Sequence, residues 1–309
     1  MIRDRMKSQV SPKQLARALQ VSESSVKRWC DQGVIATVRT AGGHRRIAIS
    51  TVIDFLQKNE YRLVEPEILG LPVTTGSTER MLERAQPTFR EALLCGDEQR
   101  ARAVVLDLFL ANHELSAILD DVVAFSLHEI GERWSCGDID VYQERRACEI
   151  SLRVLHEIRQ VLPREEPPVG LAIGATPGSD LYHVPNTMVD LVLRQVGWDT
   201  HNLGVGLPFD TLRQAIAHHR PRLFWLSVSH VDDSEQFIRD YESLFASAPT
   251  ETAFVVGGRA LSESLRRHLH YASFCDNLRH LESFARSLAA GPPQVSGAVS
   301  GAVNGHRSF

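Results

Sequence analysis

Between residues 169 and 290 short apolar runs alternate with helical patterns, and this alternation limits the fold more than any other feature. The runs are Val169-Gly170-Leu171-Ala172-Ile173-Gly174, Asp199 to Leu203, Leu223-Phe224-Trp225-Leu226-Ser227-Val228-Ser229 and Ala253-Phe254-Val255-Val256-Gly257-Gly258. Helical periodicity covers Met188 to Val196, Phe209 to His219, residues 234–246 and 260–269. Strands separated by helices of this length predict an α/β, Rossmann-like open parallel sheet. Its ligand crevice should lie at the carboxyl ends of the strands. Gly257 and Gly258 stand at such an end, where glycine would let a ligand approach the backbone.

The start of the chain reads differently. Residues 1–60 hold eleven Lys/Arg and five Asp/Glu, a net +6, so the other 249 residues carry −10 of the total −4. A basic head on an acidic body predicts a polyanionic partner for the head. Ser11-Pro12-Lys13-Gln14 has the residues of a capping box with proline at the first helical position. Leu15, Ala18 and Leu19 continue it as an apolar stripe. Ser22 should cap a second helix whose inner face is Val26, Trp29 and Cys30, with Gly33 as its stop. Val34-Ile35-Ala36 and Ile47-Ala48-Ile49 read as short strands flanking a Gly42-Gly43 turn. Ser50 should cap a third helix from Thr51 to Lys58.

Residues 79–162 carry four amphipathic helical patterns: 79–95, 97–111 capped by Asp97, about 114–134, and about 141–162. Short turns between them argue for a four-helix bundle. The expected organisation is therefore a head at 10–60, a cap bundle at 79–162, a sheet domain at 169–290 and a disordered Gly/Ser-rich tail at 291–309. Linkers are expected at 63–78 and 163–168.

On the residues Ser11-Pro12-Lys13-Gln14-Leu15-Ala16, Ser24-Ser25-Val26-Lys27-Arg28-Trp29 and Gly42-Gly43-His44-Arg45-Arg46, the head resembles the MerR-type winged helix-turn-helix. The motif places the second helix in the major groove, with Ser24, Ser25, Lys27 and Arg28 facing bases or phosphates. Arg39, His44, Arg45 and Arg46 would grip the neighbouring backbone, with packing on Trp29 as the other reading of His44.

The body resembles the cobalamin-binding module of light-responsive MerR-type repressors and corrinoid methyltransferase proteins. In the bundle, Trp134 takes the place of a Trp that packs over the corrin, and Glu144 that of the Glu in a Glu-His pair. Arg145 replaces the His of that pair, and Ser135 replaces the His that follows the Trp in the photoreceptors. In the sheet domain, Gly197-Trp198, Asn202-Leu203-Gly204, Pro208, Ser227, Ser229 and Gly257-Gly258 fall where that family has them. The hallmark Asp-x-His-x-x-Gly does not. Its His ligates cobalt, its Asp orients the His, and its Gly makes room for the nucleotide tail. Here Asp180 matches the Asp, Tyr182 replaces the His and Pro185 the Gly. A slip of one residue puts His183 on the cobalt ligand and Asn186 on the Gly. A neutral phenol is a poor soft-metal ligand compared with imidazole. Three readings stay open: cobalamin, another tetrapyrrole such as haem, or no cofactor.

No G-x-S-x-G, P-loop or H-E-x-x-H motif is present, so no enzyme activity is expected. His218-His219 and His268-x-His270 sit in patterns that predict solvated helix faces. Five widely spaced cysteines without C-x-x-C suit a reducing cytoplasm rather than a disulfide or zinc framework. No apolar run reaches membrane-spanning length, and the charged first residues predict no secretory signal. The expectation is a cytoplasmic DNA-binding transcriptional repressor acting on double-stranded promoter DNA as a homo-oligomer, dimer or tetramer, with no membrane partner. Its body would sense a ligand or set the assembly state. Two alternatives are a cofactor-free module used for oligomerisation, and a corrinoid carrier of a methyltransferase system.

Overall fold

The computed structural model describes residues 7–59, 61–72, 75, 81–162 and 167–290. The expected tail at 291–309 and parts of both linkers lie outside the described residues.

The head comprises β1 (Gln9–Val10), α1 (Pro12–Ala18), α2 (Glu23–Asp31), β2 (Val38–Arg39), β3 (Arg45–Ala48) and α3 (Ile49–Asn59). Its three strands form an antiparallel sheet in the order β1-β3-β2. The capping box forms: Ser11 Oγ accepts from Gln14 N while Gln14 Oε1 accepts from Ser11 N. Ser22 Oγ accepts from Ser25 N and starts α2. The strand expected at 34–36 does not form. Val34 N and Ile35 N both donate to Trp29 O, so this segment closes the end of α2, and Ile35 is a fully buried plug. The wing strand lies later, at 38–39, paired with 45 and 46. Helix α3 begins at Ile49, so Ser50 lies inside it rather than capping it.

The bundle contains α4 (Leu82–Cys95), α5 (Glu98–Leu110), α6 (Leu115–Ile118), α7 (Phe125–Ser135) and α8 (Val141–Val161). The helix expected at 114–134 runs without interruption over 115–135 and contains a π-helical stretch, Leu119–Ala124. Asp120 lies in that wider turn. It accepts from Leu278 N and Arg279 N at 3.0 and 3.2 Å, and so caps a helix of the sheet domain. Head and bundle are in contact. Gln57 Nε2 on α3 donates to Phe109 O at 2.6 Å, and Asn112 Nδ2 donates back to Gln57 O. Buried Arg102 pairs with Glu157 and donates to Gly70 O, tying the segment after the head to two bundle helices.

The last unit runs β4 (Leu171–Ala175), α9 (His183–Gln195), β5 (Asp199–Asn202), α10 (Phe209–His219), β6 (Leu223–Ser227), α11 (Ser234–Ser247), β7 (Ala253–Gly257), α12 (Glu263–Arg266), β8 (Ser273–Cys275) and α13 (Leu278–Ala290). All strand pairs are parallel, in the order β5-β4-β6-β7-β8. Side chains of successive strand residues point to opposite faces. Phe224 and Leu226 thus join a core with α10 and α11, while Leu223 and Trp225 join the core shared with α9, α13 and the bundle. The helix expected at 260–269 shrinks to four residues, and α9 starts five residues before the expected Met188.

Candidate functional site

The outer surface of the head is cationic. Lys27 and Arg28 on α2 are exposed, as are Arg39 and His44 on the wing. Ser24 and Ser25 share hydrogen bonds with the cap hydroxyl of Ser22, each at 2.8 Å, at the start of α2. Lys27 is held by Glu23 one turn earlier at 3.0 Å. Arg28, Arg39 and Arg46 make no ion pair among the described residues. Arg45, expected to grip the DNA backbone, is engaged within the head. Its guanidinium contacts Asp31 Oδ1 at 2.5 Å and Lys27 O at 3.3 Å, fastening the wing to the end of α2. Trp29 packs against Phe55 and Tyr61, with ring centroids 5.1 and 5.3 Å away, while His44 stays exposed.

In the bundle Trp134 is 45% exposed at the end of α7. Glu144 accepts from the Cys148 thiol at 3.3 Å and lies beside Arg145. Burial, and next the Glu144 carboxylate, push that thiol up to about 12, so it stays protonated and acts as a donor. Ser135 Oγ donates to Glu132 O at 2.7 Å within its own helix.

At the carboxyl ends of β4, β6 and β7 the structure gathers Asp180, Tyr182, Ser229 and Arg259. Asp180 is fully buried and accepts from three backbone N–H groups: Tyr182 at 3.0 Å, Ser229 at 2.5 Å and His230 at 3.2 Å. It stitches the loop after β4 to the loop after β6. Both oxygens are engaged by backbone, so it does not orient an imidazole as the resemblance implied. Tyr182 lies beneath the Arg259 guanidinium, 4.9 Å from the ring centroid, and Arg259 Nε donates to Ser229 O. His183 is exposed in the first turn of α9. Among the described residues no group of three or more His, Cys, Asp or Glu could hold a metal ion. Ser227 is buried at the end of β6 beside Gly257.

The paired glycines serve a different purpose from the expected one. A Cβ on Gly258, whose φ is +119°, would stand 2.1 Å from Val228 O, and one on Gly257 would stand 2.8 Å from Cys275 O. Their missing side chains admit neighbouring backbone. Alanine at Asp180 is expected to destabilise the fold by about 3 kcal/mol, because three buried donors lose a charged acceptor. Urea unfolding followed by circular dichroism checks this, and a change below about 1 kcal/mol contradicts the stitching role.

Two residues that matter here escape a reading of the sequence. Gly174 and Trp225 face each other across β4 and β6, and a Cβ on Gly174 would lie 2.1 Å from Cδ2 of Trp225. The indole, 1% exposed, donates to Asn186 Oδ1 at 2.7 Å. Asn186 Nδ2 donates in turn to Asn202 Oδ1 at 2.8 Å and Gly204 O at 2.9 Å. A glycine in one buried run and a tryptophan in another were the available signal, but their pairing needs the strand register. On the other side of the sheet, an open cavity of about 390 Å³ lies between Ser179, Phe209, His230 and Asp232. Hydrogen bonds, from Ser179 first and then His230, hold the Asp232 carboxyl below the usual range.

The fold and these sites define a class: a helix-turn-helix head carried on a helical bundle and a Rossmann-like sheet of the corrinoid-protein type. Residues 10–60 match the helix-turn-helix domain family, and residues 86–158 match the B12 binding domain family. The chain is homologous to the HTH-type transcriptional repressor CarH of Myxococcus xanthus, 30% identical over 214 residues. That alignment spans 64% of each chain, so about a third of the relative's length has no counterpart in it. The monomethylamine corrinoid protein of Methanosarcina barkeri shares the fold of the body. Its TM-score is 0.57 at 14% identity, over 67% of this chain and 100% of that one.

Proposed function

We propose that this chain is a MerR-type DNA-binding transcriptional repressor, acting in the cytoplasm and not an enzyme. In this reading α2 enters the major groove of promoter DNA and the bundle and sheet set the oligomeric state. The observation that carries it is the set Arg28, Arg39 and Arg46 on α2 and the wing, which make no ion pair among the described residues, on a domain matched to helix-turn-helix proteins and within a homologue of a named repressor. Lys27, Arg28, Arg39, His44 and Arg46 bind phosphates, Ser24 and Ser25 approach base edges or phosphates, and Arg45 acts as a positioning residue for the wing. A single small head grips little DNA, so a dimer or tetramer raises affinity through effective concentration. The carrier alternative gives no role to a head with this surface. No helix among the described residues is long and apolar enough to cross a membrane.

Selection of bound fragments from the source genome by the full chain, followed by gel-shift titration, tests the reading. A sequence-specific, salt-sensitive shift is expected, and recovery of no preferred sequence refutes it. Arg46→Ala should reduce the dependence of log K on log salt by about 0.9 for each head bound, the share of one neutralised phosphate. Arg45→Ala should weaken binding with a smaller change in that slope, because its charge is already paired with Asp31. Equal slope changes for the two variants contradict the division of roles.

A further inference from the structure

The sheet domain has the architecture of a corrinoid-binding module, but its interior does not fit the whole cofactor. The resemblance places the nucleotide tail beside the third hallmark position, at the start of α9. In this chain that position is Pro185, or Asn186 with the one-residue slip. The tail's path would run between α9 and the sheet, where Asn186 and Trp225 now meet.

Four observations show this space to be occupied. Trp225 points to the face of the sheet that packs against α9 and α13. Its ring covers Gly174 so closely that no side chain could be added there. Trp225 and Asn186 are each 1% exposed. Asn186 uses its carbonyl for the indole N–H and its amide for Asn202 and Gly204, so its own side chain has no polar atom left waiting for a ligand. Admitting a heterocycle would require expelling an indole that buries roughly 200 Å² and breaking the buried hydrogen bond that it donates to Asn186. The surrounding loops are also tied shut, because Asp180 binds the backbone of the loop after β6 and Arg259 covers Tyr182.

We propose that Trp225, hydrogen-bonded to Asn186, is an internal plug in the nucleotide-tail slot, and that the body gains no affinity for a corrinoid from its nucleotide. The site is filled by the protein's own side chain, and α9 is held against the sheet without a ligand. This inference concerns the body alone and stands whether or not the head binds DNA.

The test compares two probes on the purified full chain: hydroxocobalamin, and diaquocobinamide, which carries the same macrocycle with exchangeable axial ligands and no nucleotide. Binding is read by equilibrium dialysis and hydrogen exchange. The expected result is no binding of either, or hydroxocobalamin no more than tenfold tighter than cobinamide. Exchange across residues 183–195 should be unchanged at every concentration. Hydroxocobalamin more than tenfold tighter, or new protection of residues 183–195 by hydroxocobalamin alone, overturns the plug. Both measurements use the wild-type chain, so folding of a variant does not enter. Gel-shift measurements with and without hydroxocobalamin report separately on the head.

Discussion

Trp225→Ala lowers the stability of the sheet domain by about 4 kcal/mol, within the range for truncating a fully buried tryptophan. Two effects act together. The indole is 1% exposed and lies over Gly174, so no neighbouring side chain on β4 can fill the void. Asn186 Oδ1 also loses the indole N–H that it accepts at 2.7 Å, which leaves a buried carbonyl unpaired. Urea titration followed by far-ultraviolet circular dichroism reads the loss. The chain contains several packed units, so the transition is assigned to this domain by hydrogen exchange across β4, β6 and α9 rather than from one global midpoint. Trp225→Phe keeps most of the volume and loses the donor, so it should fall between the two. A loss below about 1 kcal/mol for alanine would show that the indole is not the packed plug described above.

Replacing Arg28, Arg39 and Arg46 together by alanine is expected to weaken DNA binding on the order of 10²–10³-fold for each head bound at 0.1 M salt. This follows from a factor of about ten for each phosphate no longer neutralised, through counterion release. The three side chains make no ion pair among the described residues, so their removal costs the head little stability. The weakening should be nearly uniform across DNA sequences, because bonds to phosphates position without specifying. Gel-shift titrations over a series of salt concentrations measure affinity and slope together. An unchanged slope with a well-folded head would place the DNA surface elsewhere.

Much of this fold was legible because its signals are local. Ser11 with Gln14, Ser22 and Asp97 are helix starts whose chemistry lies within four residues. The alternation after residue 169 identified the parallel sheet, since strands and helices differ in length and periodicity. Departures arose where the packing of the folded chain decided the outcome. Val34 and Ile35 have strand-like composition, yet their N–H groups close on Trp29 O and Ile35 fills the head's core. The helix expected at 114–134 widens to a π turn at Leu119–Ala124, where Asp120 reaches the start of α13 more than 150 residues away.

The candidate sites divide in the same manner. Exposed charge on α2 and the wing can be read from amphipathic spacing, because solvent is the default neighbour of Arg28 or Arg39. Arg45 could not be distinguished from Arg46 in the sequence, as only the folded wing brings it to Asp31. Gly257 and Gly258 suggested ligand access, but the backbone of Val228 and Cys275 takes up the room they leave.

By itself, the sequence determined the order and type of the units: a basic helix-turn-helix, a helical bundle and a parallel sheet. Capping, periodicity and charge are properties of neighbouring residues. Tertiary structure alone decided what fills the space beneath the sheet's carboxyl edge. Gly174, Asn186 and Trp225 are separated by up to 51 residues, and only the parallel register of β4 with β5 and β6 and the docking of α9 bring them into one buried cluster, with Asn202 bonded at its exposed rim.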